Sequence, residues 1–485
     1  MPTPGHSLLS GRRIVRAVVR PGTCMRTHLL LAEKTEKQKR LAPAVASFWR
    51  LNIQDNGSYV KSTGRSSGRG KIATRLNPRS QHSVLQIACL AHVGIFRSER
   101  QLMDFDFTLE HKQLRDTVRR HTEEEMRPHV MEADDTERFP DGLFRRWGEL
   151  GLIGARYPEA DGGIGMDKVS DCIIREELGR VSQAFCAAFS AHSHLGIWPI
   201  WRAGTPKQKK AYFAPAISGE KVACFGLSEP DGGSNIRAMK TRAEKVDGGY
   251  RINGSKLYIT NAPIAGFMML AARTAPELKP SAISLFIVDL PNPAISISHL
   301  KKEGLKGSET GLLYIEDLFV PDDCLLGGEE GTYPIILNSL TENRVGVAAS
   351  VLGVAKGAYE EALEYARTRI VAGKPILEYQ AVAHRLADMA TDIEAAHWMV
   401  YRGAWQVDKG GIDHETAAKI KLFVSEAAFR VTEKAIRVLA GAGMIREHGV
   451  GRHHRDAMVY LFGEGTSDIQ RNLISRAMKE RDLLP

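Results

Sequence analysis

The patterning of the 485 residues predicts an α+β fold in three parts: an N-terminal helical domain, a middle β-barrel or sandwich domain and a C-terminal four-helix bundle. Three observations carry this. Apolar residues recur at helical spacing over 103–220, short strands with turn signals occupy 221–333, and long helical stretches return over 334–485. No helices alternate with the strands of the middle part, which argues against a parallel nucleotide-binding sheet. The first 102 residues belong to none of these parts.

Those 102 residues carry 18 Lys and Arg against four acids (Glu33, Glu36, Asp55 and Glu99), a net +14, whereas the whole chain is only +9. The remaining 383 residues are therefore mildly acidic, at −5. The basic character that would point to nucleic acid or an anionic membrane is confined to the N-terminal fifth. The run Ser62–Gly70 and the cluster Asn56-Gly57-Ser58 offer little apolar surface to bury, so residues 1–102 read as a basic, mostly disordered extension. Three readings of it compete: an upstream extension of a chain that starts at Met103, an Arg-rich organelle transit peptide, and a nucleic-acid-binding tail. The apolar stretch Val84–Phe96 is 13 residues long with His92 inside it, too short to span a bilayer. Arg12, Arg13, Arg16 and Arg20 interrupt any secretory signal core. With 43% hydrophobic and 25% charged residues the chain has globular composition, which excludes a collagen and a polytopic membrane protein.

After Met103, Leu109, Leu114, Val118 and Met126 fall at roughly helical spacing, with Thr108 as a candidate cap before Glu110. Helical stretches follow at Pro140–Gly151 and Lys168–Gly179, separated by the loop Gly162–Gly165, and His192 and His194 read as core or helix-end residues rather than ligands. In the middle part, Tyr250–Lys256 and Leu257–Thr260 read as short strands around a Gly turn, and Ser281–Leu290, Ile295–Leu300 and Gly311–Val320 add others. The C-terminal part shows helices over about 335–371, 375–409, 413–441 and 467–481, with Ala348, Ala349, Ala355, Ala358, Ala362 and Ala366 permitting close helix approach. None of the six cysteines forms a CxxC pair, so neither a zinc site nor a disulfide framework is indicated, and no metal site is expected. The neighbours His453 and His454 cannot face one way on a helix and read as a solvated pair. Phosphate-loop, nucleophile-elbow and HExxH patterns are absent.

Three strings stand out: Cys224–Asn235 (CFGLSEPDGGSN), Gly254–Asn261 (GSKLYITN) and Phe462–Arg471 (FGEGTSDIQR). In this order and at these separations the chain from about Asp104 to Leu484 resembles the acyl-CoA dehydrogenase family of flavoenzymes. Elementary chemistry agrees with each string. Gly232-Gly233-Ser234 offers side-chain-free backbone and a hydroxyl to a pyrophosphate, and Leu227 and Ser228 would alternate on a strand. Tyr258 presents an aromatic face and Thr260 a hydroxyl two residues on, hence on the same side of a regular strand. Glu464 lies between two glycines, before Thr466-Ser467 as cap of a helix over Asp468–Met478. Removing a weakly acidic α-proton from a thioester calls for a carboxylate whose pKa a dry pocket raises.

The resemblance implies FAD as cofactor and α,β-dehydrogenation of an acyl-CoA thioester to the trans-2-enoyl-CoA. Glu464 matches the family's α-proton base, with Glu342 as fallback, and the β-hydrogen passes to flavin N5 as hydride. Flavin contacts are implied for Phe225, Leu227, Ser228, Gly233, Ser234, Tyr258, Thr260, Thr466 and Asp468. Arg369, Gln380, Arg437 and Gly441 would reach a flavin across a subunit interface. Ser234, Asn343, Arg344 and Gly465 are implied to touch substrate. An electron-transfer flavoprotein as acceptor and a homotetramer follow from the same resemblance, with no nucleic-acid partner and no membrane span. The expected location is the bacterial cytoplasm, or the mitochondrial matrix if residues 1–102 include a transit peptide. The alternatives within the fold are an acyl-CoA oxidase and a flavin monooxygenase; nucleic-acid binding through the basic N-terminus is the alternative outside it.

Overall fold

The computed structural model describes residues 106–275, 282–328 and 332–479. The expectations placed on residues 1–102 and on Met103 lie outside the described residues. Helix α1 (Leu109–His121) starts where Thr108 Oγ1 accepts a hydrogen bond from the His111 amide (3.2 Å), as the capping pattern predicts. Val118 and Met126 are buried, but Leu109, in the uncovered first turn, is 67% exposed and takes no part in the core. Helix α2 (Lys168–Val181) has Asp167 as its cap and is buried along nearly its whole length. That a helix so polar can be buried follows from pairing: Asp171 takes Lys168 and Arg175, and Glu177 takes Arg180.

Helix α3 (Gln183–Ser190) runs into a π-helical turn, Ala191–Gly196, that holds His192 and His194. Both histidines are core residues. His192 Nδ1 accepts from the Ala223 amide (2.9 Å) while Nε2 donates to Ala216 O (3.0 Å), and His194 Nε2 donates to Ser339 O (3.0 Å). Burial pushes the His192 pKa down to about 4, so the ring stays neutral.

The middle part is one seven-stranded sheet: β1 (Ala223–Gly226), β2 (Arg242–Val246), β3 (Gly249–Thr260), β4 (Phe267–Arg273), β5 (Ile283–Asp289), β6 (Ile295–His299) and β7 (Thr310–Pro321). The order is β1-β4-β2-β3-β7-β6, with β5 also on β4. Pairing is antiparallel apart from β1 with β4 and one residue pair between β2 and β4. The sheet curls around its own core, in which Cys224, Ile252, Leu270, Phe286 and Leu313 meet. The alternate residues of β4, Phe267, Met269 and Ala271, face the helical core instead, as a period of two requires.

Three details differ from expectation. Residues 249–260 form a single strand, not two strands around a turn. Gly254 marks a β-bulge (φ +156°), where a Cβ would lie 2.5 Å from Thr241 Oγ1, and a second register shift falls between Lys256 and Ile259. Strand β1 ends at Gly226, so Leu227 and Ser228 lie beyond it; Ser228 O is held by the Leu257 amide of β3 (2.9 Å).

The C-terminal part packs α4 (Tyr333–Thr368), α5 (Gln380–Asp408) and α6 (His414–Leu439) against one another, with α7 (Val450–Val459) and α8 (Ser467–Lys479) along α6. The alanines of α4 are buried, which brings the helix backbones close. Helix α4 stops three residues earlier than expected, because Ile370–Val371 and Lys374–Pro375 form a two-stranded hairpin around Ala372-Gly373, both at positive φ. Helix α7 has no counterpart among the expected elements, and it overturns the solvated reading of His453 and His454. His453 is buried, with its ring against Gly357 of α4, and His454 stacks on Phe429 while meeting Thr432 Oγ1 (3.0 Å). Among the described residues no helix is long and apolar enough to cross a membrane.

Candidate active site

The turn between α7 and α8 presents Glu464. Its backbone is left-handed (φ 58°), a conformation that costs a non-glycine residue of order 1–3 kcal/mol and persists only where the surroundings hold it. Gln470 Nε2 donates to the carbonyls of Glu464 (3.3 Å) and Gly465 (3.0 Å), and the buried Lys421 Nζ of α6 donates to Gly465 O (2.8 Å) and Tyr460 O (2.7 Å). Gly465 is left-handed too (φ 90°), and a Cβ there would sit 2.7 Å from Gln470 Nε2. Thr466 Oγ1 accepts from the Ile469 amide (3.1 Å) and so caps α8, as expected.

The Glu464 Oε1 atom accepts a hydrogen bond from Asn343 Nδ2 of α4 (3.2 Å). The residue is half-buried, and the loss of water around its carboxyl group raises its pKa above the ordinary carboxylate value. Arg344, the Asn343 hydrogen bond, Lys421 and Arg175 pull the other way and are outweighed. Burial likewise pushes Lys421 down to about 8, and it lowers Arg344, whose Nε atom is buried without a partner. Asn343, Arg344, Glu464, Gly465 and Thr466 are thus brought together. The fallback acid Glu342 is engaged by Arg156 (3.0 Å).

The second group of expected residues gathers where β1 ends against β3. Phe225 is buried, Leu227 and Ser228 are half-buried, and the Glu229–Gly232 turn leads to an open Gly233 with no atom within 4 Å of a would-be Cβ. Ser234 is exposed. The turn is pinned by Glu229, a buried carboxylate that accepts from the Lys240 and Thr241 amides (2.6 and 3.0 Å), Thr241 Oγ1 (2.5 Å) and Lys256 Nζ (2.8 Å). Tyr258 sits at the second register shift of β3 with φ 61° and is 70% exposed, while Thr260 is half-buried. The register shift breaks the alternation, so strand periodicity does not place Tyr258 and Thr260 on one side. Asn261 Nδ2 ties this end of β3 to Ala188 O of α3 (2.9 Å) and Ala223 O of β1 (3.3 Å). Ser190, also on α3, accepts from Arg175, which reaches Asn343, so α3 stands between the two groups.

The remaining expected residues lie apart, at the surface. Arg369 and Gln380 flank the hairpin between α4 and α5, Arg437 lies in the last turn of α6 and Gly441 in the turn after it, and all four are exposed. Arg437 is paired with Glu433 of its own helix, and Asp468 is exposed and paired with Arg471 (3.0 Å). Lys421, Gln470, Arg175, Glu229 and Lys256 are structural partners of the site that sequence reading missed. Glu229, Lys256 and Gln470 each lie inside one of the three strings singled out above, which is the local signal for them; Lys421 and Arg175 lie in none.

Family profiles match the chain in three consecutive stretches: the acyl-CoA dehydrogenase N-terminal domain over residues 108–220, the middle domain over 224–318 and the C-terminal domain over 330–479. A probable acyl-CoA dehydrogenase of Bacillus subtilis, YngJ, is 37% identical over 378 residues, covering 78% of this chain and 100% of the relative. The structure of butyryl-CoA dehydrogenase from Megasphaera elsdenii is similar with a TM-score of 0.75 at 33% identity, covering 78% of this chain and 100% of that one. A glutaryl-CoA dehydrogenase from Mycobacterium smegmatis, solved in complex with FADH2, is similar with a TM-score of 0.74 at 26% identity, covering 81% and 98%. The chain belongs to the acyl-CoA dehydrogenase family of FAD-linked oxidoreductases.

Proposed function

We propose that the protein dehydrogenates an acyl-CoA thioester between its α and β carbons, with Glu464 taking the α-proton. The observation that carries this is the state of the Glu464 carboxyl group: desolvated, raised in pKa, and held on a left-handed backbone that Gln470 and Lys421 keep in place. Such a group gains basicity without losing its position, which is what abstraction of a weakly acidic proton requires. Arg344, with a buried and unpartnered Nε, is suited to orient an anionic part of the substrate beside the base, and the Glu464 amide to donate to the thioester carbonyl.

The residues near the end of β1 fit a bound FAD. Gly233 leaves open backbone for a pyrophosphate, Ser228 and Thr260 offer hydroxyls, and the bulge holds the Tyr258 ring out of the core, free to stack on a flat ring system. When bound, FAD supplies the acceptor for the β-hydrogen, taken as hydride, so that the α-proton and the β-hydride leave and a trans-2-enoyl-CoA remains. The exposed Arg369, Gln380, Arg437 and Gly441 suit contacts to a neighbouring subunit's cofactor in a homotetramer. Reoxidation by an electron-transfer flavoprotein and a cytoplasmic location complete the reading.

Substituting Glu464→Gln tests it. The variant is expected to retain FAD while acyl-CoA-dependent bleaching of the flavin slows by about 10²-fold or more, the loss typical of a missing general base. Bleaching within a few-fold of the unmodified protein would refute the assignment.

A further inference from the structure

Behind Glu464 runs a chain of buried polar groups that crosses from α4 to α2. Asn343 Nδ2 donates to Glu464, and Asn343 Oδ1 accepts from Arg175 Nη1 (3.1 Å). Arg175 is itself held by two further partners: Nε donates to Asp171 Oδ1 (2.9 Å) and Nη1 also donates to Ser190 Oγ (2.8 Å), while Asp171 Oδ2 is taken by Lys168 Nζ (2.5 Å). The α4 helix makes room for it. A Cβ on Gly346, one turn after Asn343, would lie 3.1 Å from the Cδ, Cζ and Nε atoms of Arg175, so the guanidinium lies flat on α4 where a side chain would displace it. Lys168, Asp171, Arg175 and Asn343 are all buried, which makes the arrangement stiff.

A guanidinium has five donors and no acceptor, so the Asn343 atom facing it must be the oxygen. We infer that Arg175 is a positioning residue for the proposed base: by donating to Asn343 Oδ1 it obliges the amide to turn its N–H toward Glu464, and so sets which protonation state of the carboxyl group the pocket favours. Without Arg175 the amide is free to flip and present its oxygen, which pairs with a protonated carboxyl group and repels an ionised one. The inference rests on Glu464 being the base.

The ionisable groups facing Glu464 are Arg344 from α4, Lys421 from α6, Arg175 from α2 and Tyr460 in the turn that precedes the loop. Arg344 and Lys421 stay in place when Arg175 is changed, so a change at Arg175 alters one element of the carboxylate's surroundings. Removing both a full positive charge and the fixed amide N–H stabilises the protonated form. The acid limb of the bleaching rate, which reports ionisation of Glu464, then moves to higher pH by about one unit.

The test uses the FAD-loaded protein and whichever of butyryl-, isovaleryl- and octanoyl-CoA bleaches it fastest, with stopped-flow bleaching followed across pH. Arg175→Gln is expected to shift the acid limb upward by about one pH unit and to recover most of its rate on the high-pH side, whereas Arg175→Lys, which can only donate, keeps the limb near its original place. An independent readout is the infrared carboxyl stretch that disappears in Glu464→Gln; it should titrate at higher pH in Arg175→Gln. If Arg175→Gln fails to fold with FAD, Asn343→Ala decides: it removes the amide N–H but keeps the Arg175 charge, so an upward shift smaller than about one pH unit is expected. A uniform slowing at every pH, with the limb and the infrared titration unmoved in Arg175→Gln or Asn343→Ala, would show a purely structural role and overturn the inference. Glu464→Gln in the same assay separates the two levels. If that variant bleaches normally, the base assignment fails as well; if it is silent while the limb stays fixed, only the role of Arg175 fails.

Discussion

Gly465→Ala probes the conformation of the catalytic loop most economically. Gly465 has φ 90°, and a Cβ would stand 2.7 Å from Gln470 Nε2, the atom that holds the carbonyls of Glu464 and Gly465. An alanine in the left-handed region costs about 1–2 kcal/mol. Gln470 can retreat because it is the end of a flexible side chain, but it then surrenders its hydrogen bonds, about 1 kcal/mol more. The sum, about 2–3 kcal/mol, corresponds to a roughly 30- to 150-fold lower population of the loop that carries Glu464 as observed. Single-turnover bleaching at saturating acyl-CoA should fall by a factor in that range, with FAD content unchanged. Gly463→Ala is the internal control: its Cβ would meet Val459 O at 3.3 Å and Val459 Cγ1 at 4.0 Å, and its backbone is not left-handed, so its effect should be several-fold smaller. Wild-type bleaching in Gly465→Ala, or equal damage from Gly463→Ala, would refute the idea that this loop conformation is the reactive one.

Other expectations follow from the same geometry. Because burial raises the folded-state pKa of Glu464 above its unfolded value of 4.5, its contribution is fully present at lower pH and is lost as pH rises through the folded-state pKa. Glu464→Gln should therefore be more stable than the unmodified protein at neutral pH and lose that advantage below about pH 4.5, as read by denaturant unfolding across pH; an advantage independent of pH would contradict the desolvated state. Lys256→Met should destabilise by about 3–5 kcal/mol and release FAD, since it strands the buried Glu229 carboxylate without its counter-charge. Adding Glu229→Gln should recover part of that loss, and the absence of recovery would argue against the pinning role of the pair. Tyr258→Gly should relieve the left-handed strain at φ 61° and raise stability by about 1 kcal/mol while weakening FAD retention; a tyrosine that matters only to the strand would leave FAD binding untouched.

What was legible in the sequence was local. Gly-Glu-Gly before Thr466-Ser467 announces a tight turn and a helix cap without knowledge of the rest of the chain, and the change of period between 220 and 331 marks the sheet. What was not legible was set by distant partners. Asn343 and Glu464 are 121 residues apart, Arg175 and Asn343 168, and nothing in either neighbourhood forecasts the meeting. The bulges of β3 were hidden for a different reason: alternation is read on the assumption of a regular strand, and only Gly254 hints that this one is not. Helix α7 escaped because its buried face is made of Val450, Arg452, His453, Asp456 and Ala457, three of them ionisable, so it has no apolar stripe to recognise. The same polar burial, in α2, produced the network behind the base.

The most direct test of Glu464 as the α-proton base separates proton removal from hydride transfer. An acyl-CoA analogue with sulfur in place of the β-carbon has no β-hydride to give, yet its α-hydrogens remain acidic. Incubated in D2O with the FAD-loaded protein, it should exchange its α-hydrogens for deuterium at a rate readable by mass spectrometry, and Glu464→Gln should abolish that exchange with FAD still bound. Exchange that continues at an undiminished rate in Glu464→Gln would contradict the account.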